Sequence, residues 1–145
     1  MVKRILGFLL LLMYLGSPAW AAGEAKHEIT VVYWGSVDCR WCRLWETSED
    51  GMEKSFVASP EFRGLKYFRV KNARLVDDYG KEHFPAGLEW LWERYEWKEF
   101  PHPWRPGWQV FVDKKLVETY YGTNNWQTKA LPRVQELLDQ NTGKK

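Results

Sequence analysis

Cysteine is scarce in this chain, and that scarcity narrows the kinds of protein the sequence can encode. The 145 residues contain two cysteines, Cys39 and Cys42. Two cysteines exclude a scaffold held by several disulfides, and they are too few for a four-sulfur zinc site. Any cysteine chemistry must therefore come from this single pair.

An excess of charge of either sign is also missing. The chain has 21 Lys and Arg against 19 Asp and Glu, so its formal net charge is +2. This balance excludes a strongly basic nucleic-acid-binding protein, because such binding needs clustered Lys and Arg that release counterions. An acidic disordered protein is excluded as well, since aromatic residues make up 17% of the chain and favour burial or a partner.

Long apolar runs are limited to one, at the start of the chain. Lys3 and Arg4 precede an apolar stretch over 5–15, and small residues follow it up to Ala21. This order predicts a secretory signal peptide over 1–21, because an uncleaved anchor needs about 20 apolar residues. After cleavage we expect a net charge of zero and no stable membrane insertion. Export, most simply to a bacterial periplasm, places the cysteines where disulfides persist.

The remaining chain, 22–145, has the length and pattern of one α/β domain. β-branched and aromatic runs predict strands over 29–34, 65–71, 108–112 and 116–121. Helices are predicted from Cys39 to about 59 with a break at Asp50-Gly51, and over 73–82, 86–99 and 129–140. Turns are predicted at 113–115 and 122–125. Together these elements predict a central mixed sheet flanked by helices.

The two cysteines stand where a strand gives way to a helix, in the sequence Cys39-Arg40-Trp41-Cys42. The free amides and the dipole of a helix start stabilise a thiolate at the first cysteine. Thiol–disulfide exchange needs such an attacking thiolate and a second thiol nearby to resolve the mixed disulfide. We therefore expect Cys39 to attack and the more buried Cys42 to resolve. Arg40 would lower the pKa of the thiol, Asp38 would raise it, and Trp41 would border it.

Other interpretations of the pair remain open. A structural disulfide is one, although a ring of four residues constrains the unfolded chain little. A metal site is another: zinc needs four ligands and the three histidines are isolated, but copper(I) accepts two thiolates. The chain could also be a non-enzymatic module that binds a partner through a tryptophan-rich surface. We predict no metal and no cofactor beyond the redox-active disulfide.

Several segments resemble the thioredoxin-like superfamily. Residues 31–34 followed by 39–42 resemble its active-site strand and helix start, and 42–46 with 59–62 resembles its exported thiol:disulfide interchange branch. Residues 110–117 are similar to its hairpin. The resemblance covers most of 28–140 except the stretch 83–105. It implies a thioredoxin fold and disulfide exchange with exported protein substrates or redox partners, with Cys39 attacking and Cys42 resolving.

The sequence departs from the family pattern at two positions. The family has a cis-proline before the hairpin that faces the cysteines; Pro106 is the nearest proline, whereas counting back from the turn points to Gly107. A buried acid in the first strand is replaced by Tyr33. Glu46, four residues after Cys42 in the predicted helix, would share the cysteines' face and could accept a proton instead.

Tryptophan is unusually frequent, and five of the ten lie between 88 and 108. We call the stretch of about 83–105 the tryptophan-rich insertion; it precedes the predicted hairpin. It could form an aromatic cap over the core. Alternatively, it could be a binding surface near the cysteines, because Trp and Arg are frequent binding hot spots.

Overall fold

The structure is a computed structural model that describes residues 26–47 and 52–143. Within these ranges the strands are β1 (Ile29–Ser36), β2 (Lys66–Asn72), β3 (Gly107–Val112) and β4 (Lys115–Tyr121). The helices are α1 (Arg40–Thr47), α2 (Met52–Ala58), α3 (Glu89–Glu96), α4 (Thr123–Asn125) and α5 (Leu131–Thr142). Short 3₁₀ turns cover Glu61–Gly64 and Lys81–His83. The predicted signal peptide and the predicted helix break at Asp50-Gly51 lie outside the described residues.

The four strands form one mixed sheet in the order β2-β1-β3-β4. β1 runs parallel to β2 and antiparallel to β3, and β3 and β4 form an antiparallel hairpin. The parallel pair requires a crossover, which α1 and α2 provide. All eight residues of β1 are buried, as expected for a β-branched, aromatic strand covered on both faces. The predicted mixed sheet is confirmed.

Alternate residues of β1 point into two separate cores. Val31 and Tyr33 lie in a core that α1, α2 and α5 cover, and this core includes both cysteines; we call this side the disulfide face. Val32 and Trp34 lie in the other core, which α3 and residues from the segment 73–106 cover; we call this side the insertion face. The two-residue period of a strand produces this division.

Most of the predicted tryptophan-rich insertion packs against the insertion face. Trp90 makes an edge-to-face contact with Phe111 at 5.2 Å, and Trp92 makes one with Phe84 at 5.3 Å. The helix in this stretch, α3, is shorter than the predicted 86–99. Gly87 has a positive φ of 93° just before it, and Lys98 has one of 55° just after it, so the backbone leaves the helical region at both ends.

The helix predicted over 73–82 is wrong. Residues 73–80 have no regular structure, and side chains from other segments hold their backbone. Asp38 accepts the Leu75 N–H at 2.7 Å, and Asn72 donates to the Asp77 carbonyl at 2.8 Å.

The turn predicted at 122–125 is also wrong in its extent. Only Gly122 lies outside regular structure, because helical structure begins at Thr123. A π-type turn over Trp126–Ala130 joins α4 to α5, and in it the Leu131 N–H donates to the Trp126 carbonyl. The next residue, Pro132, has no N–H to donate, which explains the widened turn at this point. No helix in the described part of the chain is long and apolar enough to span a membrane.

Candidate active site

The two cysteines form a disulfide at the start of α1, with their Cα atoms 5.2 Å apart. Cys39 stands immediately before the helix, and Cys42 lies in its first turn. Both side chains are buried: Cys39 is 3% exposed and Cys42 is not exposed. The expected order of exposure is therefore present, although the difference is small.

The backbone at the start of α1 directs one amide donor at the sulfur of Cys39. The Cys42 N–H donates to Cys39 Sγ at 3.1 Å, and the first helical bond runs from the Arg43 N–H to the Cys39 carbonyl. Cys39 thus occupies the capping position of α1, where unpaired amides carry partial positive charge. A thiolate formed there on reduction would be stabilised by these amides.

The two charged neighbours of Cys39 have distinct contacts. The carboxylate of Asp38 accepts the Leu75 N–H, so it fixes the segment 73–80 beside the cysteines. The guanidinium of Arg40 lies 5.5 Å from the centre of the Trp41 ring, within cation–π range. Trp41 itself is 57% exposed, as expected for a residue bordering the disulfide.

A groove of about 500 Å³ lies beside the cysteine motif, and it is lined by Trp41, Trp104, Arg105, Pro106 and residues 121–124. The Arg105-Pro106 peptide bond is cis, so the cis bond lies at Pro106 and not at Gly107. Gly107 has a different constraint, since a Cβ there would collide with the Trp104 carbonyl.

Sequence reasoning missed Arg105 as a residue of this groove, and it included Trp104 only as one of five tryptophans in a possible binding surface. Trp104 is 71% exposed and lies between Pro103 and Pro106. A signal was present in the sequence: a large aromatic residue among prolines has no regular element in which to be buried. The position of the groove depends on the tertiary fold, which brings this loop to the helix start.

Glu46 lies in a buried ionic network beneath α1, and its side chain is only 9% exposed. It accepts the Tyr33 hydroxyl at 2.9 Å and the Lys71 ammonium at 2.5 Å, and Arg69 approaches at 3.4 Å. Burial, together with the nearby Glu46 carboxylate, raises the pKa of Tyr33 far above its ordinary value, so the phenol stays protonated and donates. Gly35 leaves space for this phenol, because a Cβ there would lie 2.7 Å from its oxygen.

Glu53, on α2, extends the same network. It accepts the Tyr67 hydroxyl at 2.7 Å, and Arg69 Nε lies 3.2 Å from it. Arg69 therefore bridges the two buried carboxylates. Of the two, only Glu46 is on the helix that carries the cysteines.

The connectivity of the elements now identifies the architecture. A parallel β1–α1–α2–β2 unit is followed by an antiparallel hairpin and a closing helix, and the cysteine pair opens the first helix. The chain has a thioredoxin-like fold. The segment between β2 and β3, which includes α3, covers the other face of the sheet.

No protein-family model and no curated protein matches the chain. Among solved structures, the periplasmic thioredoxin SoxS from Paracoccus pantotrophus is 15% identical over 78% of this chain and 98% of its own, with a TM-score of 0.49. Malassezia sympodialis thioredoxin is 10% identical over 77% and 78%, with a TM-score of 0.48. Fasciola hepatica thioredoxin is 17% identical over 77% and 82%, with a TM-score of 0.45. Similarity at this level concerns the path of the backbone and does not extend to activity.

The described residues were compared with the requirements of a metal site. Among the described residues, no group of three or more His, Cys, Asp or Glu side chains is arranged to hold a metal ion. The copper(I) alternative, which uses only the two cysteine sulfurs, stays a prediction.

Proposed function

We propose that the chain is an exported thiol:disulfide oxidoreductase whose substrates are the disulfides or thiols of other exported proteins. The observation that carries this proposal is the Cys39–Cys42 disulfide at the start of α1, where Cys39 Sγ accepts the Cys42 amide beside an apolar groove. A helix start of this kind stabilises the thiolate that exchange requires.

The reaction proceeds in two exchange steps. In the reduced protein the Cys39 thiolate attacks one sulfur of a substrate disulfide, forms a mixed disulfide and expels the other substrate sulfur as a thiolate. Cys42 then loses its proton and attacks Cys39 Sγ, which restores the Cys39–Cys42 disulfide and releases the second substrate thiolate. Two electrons pass from the protein to the substrate. The same steps in reverse oxidise a substrate dithiol, and the relative reduction potentials determine the direction.

Glu46 is our proposed acceptor for the Cys42 proton. It is a buried carboxylate on the same helix, four residues after Cys42, and the Tyr33 phenol that donates to it belongs to the same buried core as both cysteines. Lys71 and Arg69 partly neutralise the carboxylate, which keeps it tolerable in this buried position.

The experiment compares Cys39→Ser with Cys42→Ser in exchange with a peptide disulfide. The two variants are a matched pair, because each removes the same disulfide and one sulfur. We expect Cys39→Ser to abolish exchange, whereas Cys42→Ser retains the first step and stops at the mixed disulfide. A structural disulfide would make the variants behave alike, and exchange that survives in both would overturn the proposal.

Export rests on the sequence pattern over 1–21, and it has its own test. Expression of the full chain in a bacterium should give a periplasmic protein whose intact mass matches a chain that begins at Ala22. A protein that keeps residues 1–21 and stays in the cytoplasm would remove the exported part of the proposal and leave the exchange chemistry untouched.

A further inference from the structure

The irregular segment 73–80 reaches the cysteine motif and presents apolar side chains to solvent there. Leu75 and Val76 are both exposed, although each is apolar. The Leu75 N–H is held by Asp38, the residue directly before Cys39. The segment therefore has a fixed position beside the disulfide even though it contains no helix or strand.

Arg105 makes three further hydrogen bonds to this segment. Its guanidinium donates to the Leu75 carbonyl, to the Asp77 carbonyl at 2.7 Å and to the Tyr79 hydroxyl at 2.6 Å. It also lies 4.2 Å from the centre of the Tyr79 ring. Tyr79 in turn donates to the Gly35 carbonyl at 3.1 Å, which ties the whole group to the end of β1.

Arg105 directly precedes Pro106 and lines two neighbouring depressions. One is the groove of about 500 Å³ that Trp41 and Pro106 also line. The other has a volume of about 260 Å³ and is lined by Leu75, Trp104 and the loop 102–103. Since Trp104 and Arg105 are common to both, the two depressions form one surface that extends from the cysteine motif to Leu75.

We propose that Arg105 is a positioning residue that fixes the segment 73–80, so that Leu75, Val76 and Trp104 bind apolar side chains flanking the reacting cysteine of a polypeptide substrate. This inference rests on the proposed exchange function and assigns its substrate class. An extended polypeptide advances about 3.3 Å per residue, so a substrate that lies in the groove beside Trp41 can continue along the same surface to Leu75 and Trp104. A small charged disulfide such as oxidised glutathione has no apolar group to place there.

The test measures kcat and KM for two disulfides. One is oxidised glutathione, and the other is a synthetic peptide dimer joined by a single cystine with Leu and Phe on either side. Arg105→Met keeps the aliphatic length and removes every donor. We expect the ratio of kcat/KM for the peptide to that for glutathione to fall about tenfold, mainly through the peptide's KM, a loss of about 1.4 kcal/mol of binding. Arg105→Lys, which keeps the charge, should restore part of the ratio.

Arg94→Met is the matched control, because Arg94 also donates to a backbone carbonyl from a distant segment, but it lies on α3 and outside both depressions. It should leave the ratio unchanged. A second variant, Leu75→Ser with Val76→Ser, changes only exposed side chains and should reproduce the fall in the ratio without affecting folding.

The outcomes separate the two proposals. The role of Arg105 would be overturned if kcat/KM fell equally for both disulfides. It would also be overturned if the ratio stayed unchanged in the Arg105 variant or in the Leu75/Val76 variant. Neither outcome would affect the proposed exchange function. A wild-type protein inactive toward both disulfides would overturn the proposed function, and the substrate assignment would fall with it.

Discussion

The two faces of the sheet have cores of similar composition but carry different parts of the candidate site. On the disulfide face, Trp45, Trp108 and Trp126 pack edge to face or tilted against one another, with centroids 4.8–5.2 Å apart. On the insertion face, Trp34 packs among Tyr79, Tyr95 and other rings. The two cysteines and the ionic network belong to the first face, whereas Arg105, Leu75 and Trp104 belong to loops that leave the second. Trp41, on α1, lines the groove from the first face.

Under the proposed function, this difference would separate the exchange chemistry from the selection of substrate. The disulfide face consists of helices that place Cys39 at a helix start, and its core is shielded from solvent. The insertion face is covered by a segment with little regular structure, whose loops can vary in shape without moving the cysteines. We therefore expect changes on the first face to affect the chemical steps and changes on the second to affect the choice of substrate.

The largest expected effect concerns whether both faces are needed for folding. Trp108→Ala on the disulfide face and Trp34→Ala on the insertion face should each lower the free energy of unfolding by about 3–5 kcal/mol, because both rings are fully buried and their loss leaves cavities. Trp97→Ala is the control: its ring is 78% exposed, so the change should stay within about 0.5 kcal/mol. Denaturant unfolding measures all three. If Trp34→Ala lowered the free energy of unfolding as little as Trp97→Ala, the insertion face would not be needed for folding.

A smaller effect is expected at the ionic network. Glu46→Gln should slow the resolving step by about a hundredfold near neutral pH, the low end for a proton-transfer group, and the rate should recover as pH rises. Single-turnover release of the second substrate thiol measures this step. Glu53→Gln is the matched control, since it removes the other carboxylate around Arg69 but lies on α2.

Opposite results at these two positions would be informative. A faster resolving step in Glu46→Gln would mean that its charge only disfavours the Cys42 thiolate, with no role in accepting the proton. Equal slowing in both variants would attribute the effect to the network's total charge.

The smallest expected effect is at Trp41, which lines the groove beside the cysteine motif. Trp41→Ala should raise KM for the peptide disulfide about threefold, or about 0.6 kcal/mol, because its exposed ring lines the groove where the substrate would bind. Unfolding free energy should stay within about 0.5 kcal/mol of the original, as for other exposed positions. Steady-state kinetics with Trp97→Ala beside it checks this, since Trp97 has similar exposure but does not line the groove. An equal rise in KM for both variants would contradict a specific role for Trp41.

The parts of the fold that were predictable depend on local patterns. The β-branched residues of β1 and the turn at Asp113-Lys114 form elements that their own sequence favours, and both lie where predicted. The segment 73–80 was not predictable, because its structure depends on bonds from Arg105, about thirty residues away. No local pattern encodes such a contact.

The site divides in the same way. The cysteine pair and its position at a helix start follow from adjacent residues, and the structure shows both. The burial of Glu46 depends on Lys71 and Arg69 from β2, and the groove depends on the loop around Trp104. These features arise only when the sheet brings separate segments together.

The most direct test of the account is the intact mass of reduced Cys42→Ser after incubation with the peptide dimer. We predict one new species, heavier by a single peptide chain, linked through Cys39 and released by dithiothreitol. Cys39→Ser under the same conditions should show no such species. The absence of an adduct on Cys42→Ser, or an equal adduct on Cys39→Ser, would contradict the assignment of Cys39 as the attacking thiol at the start of α1.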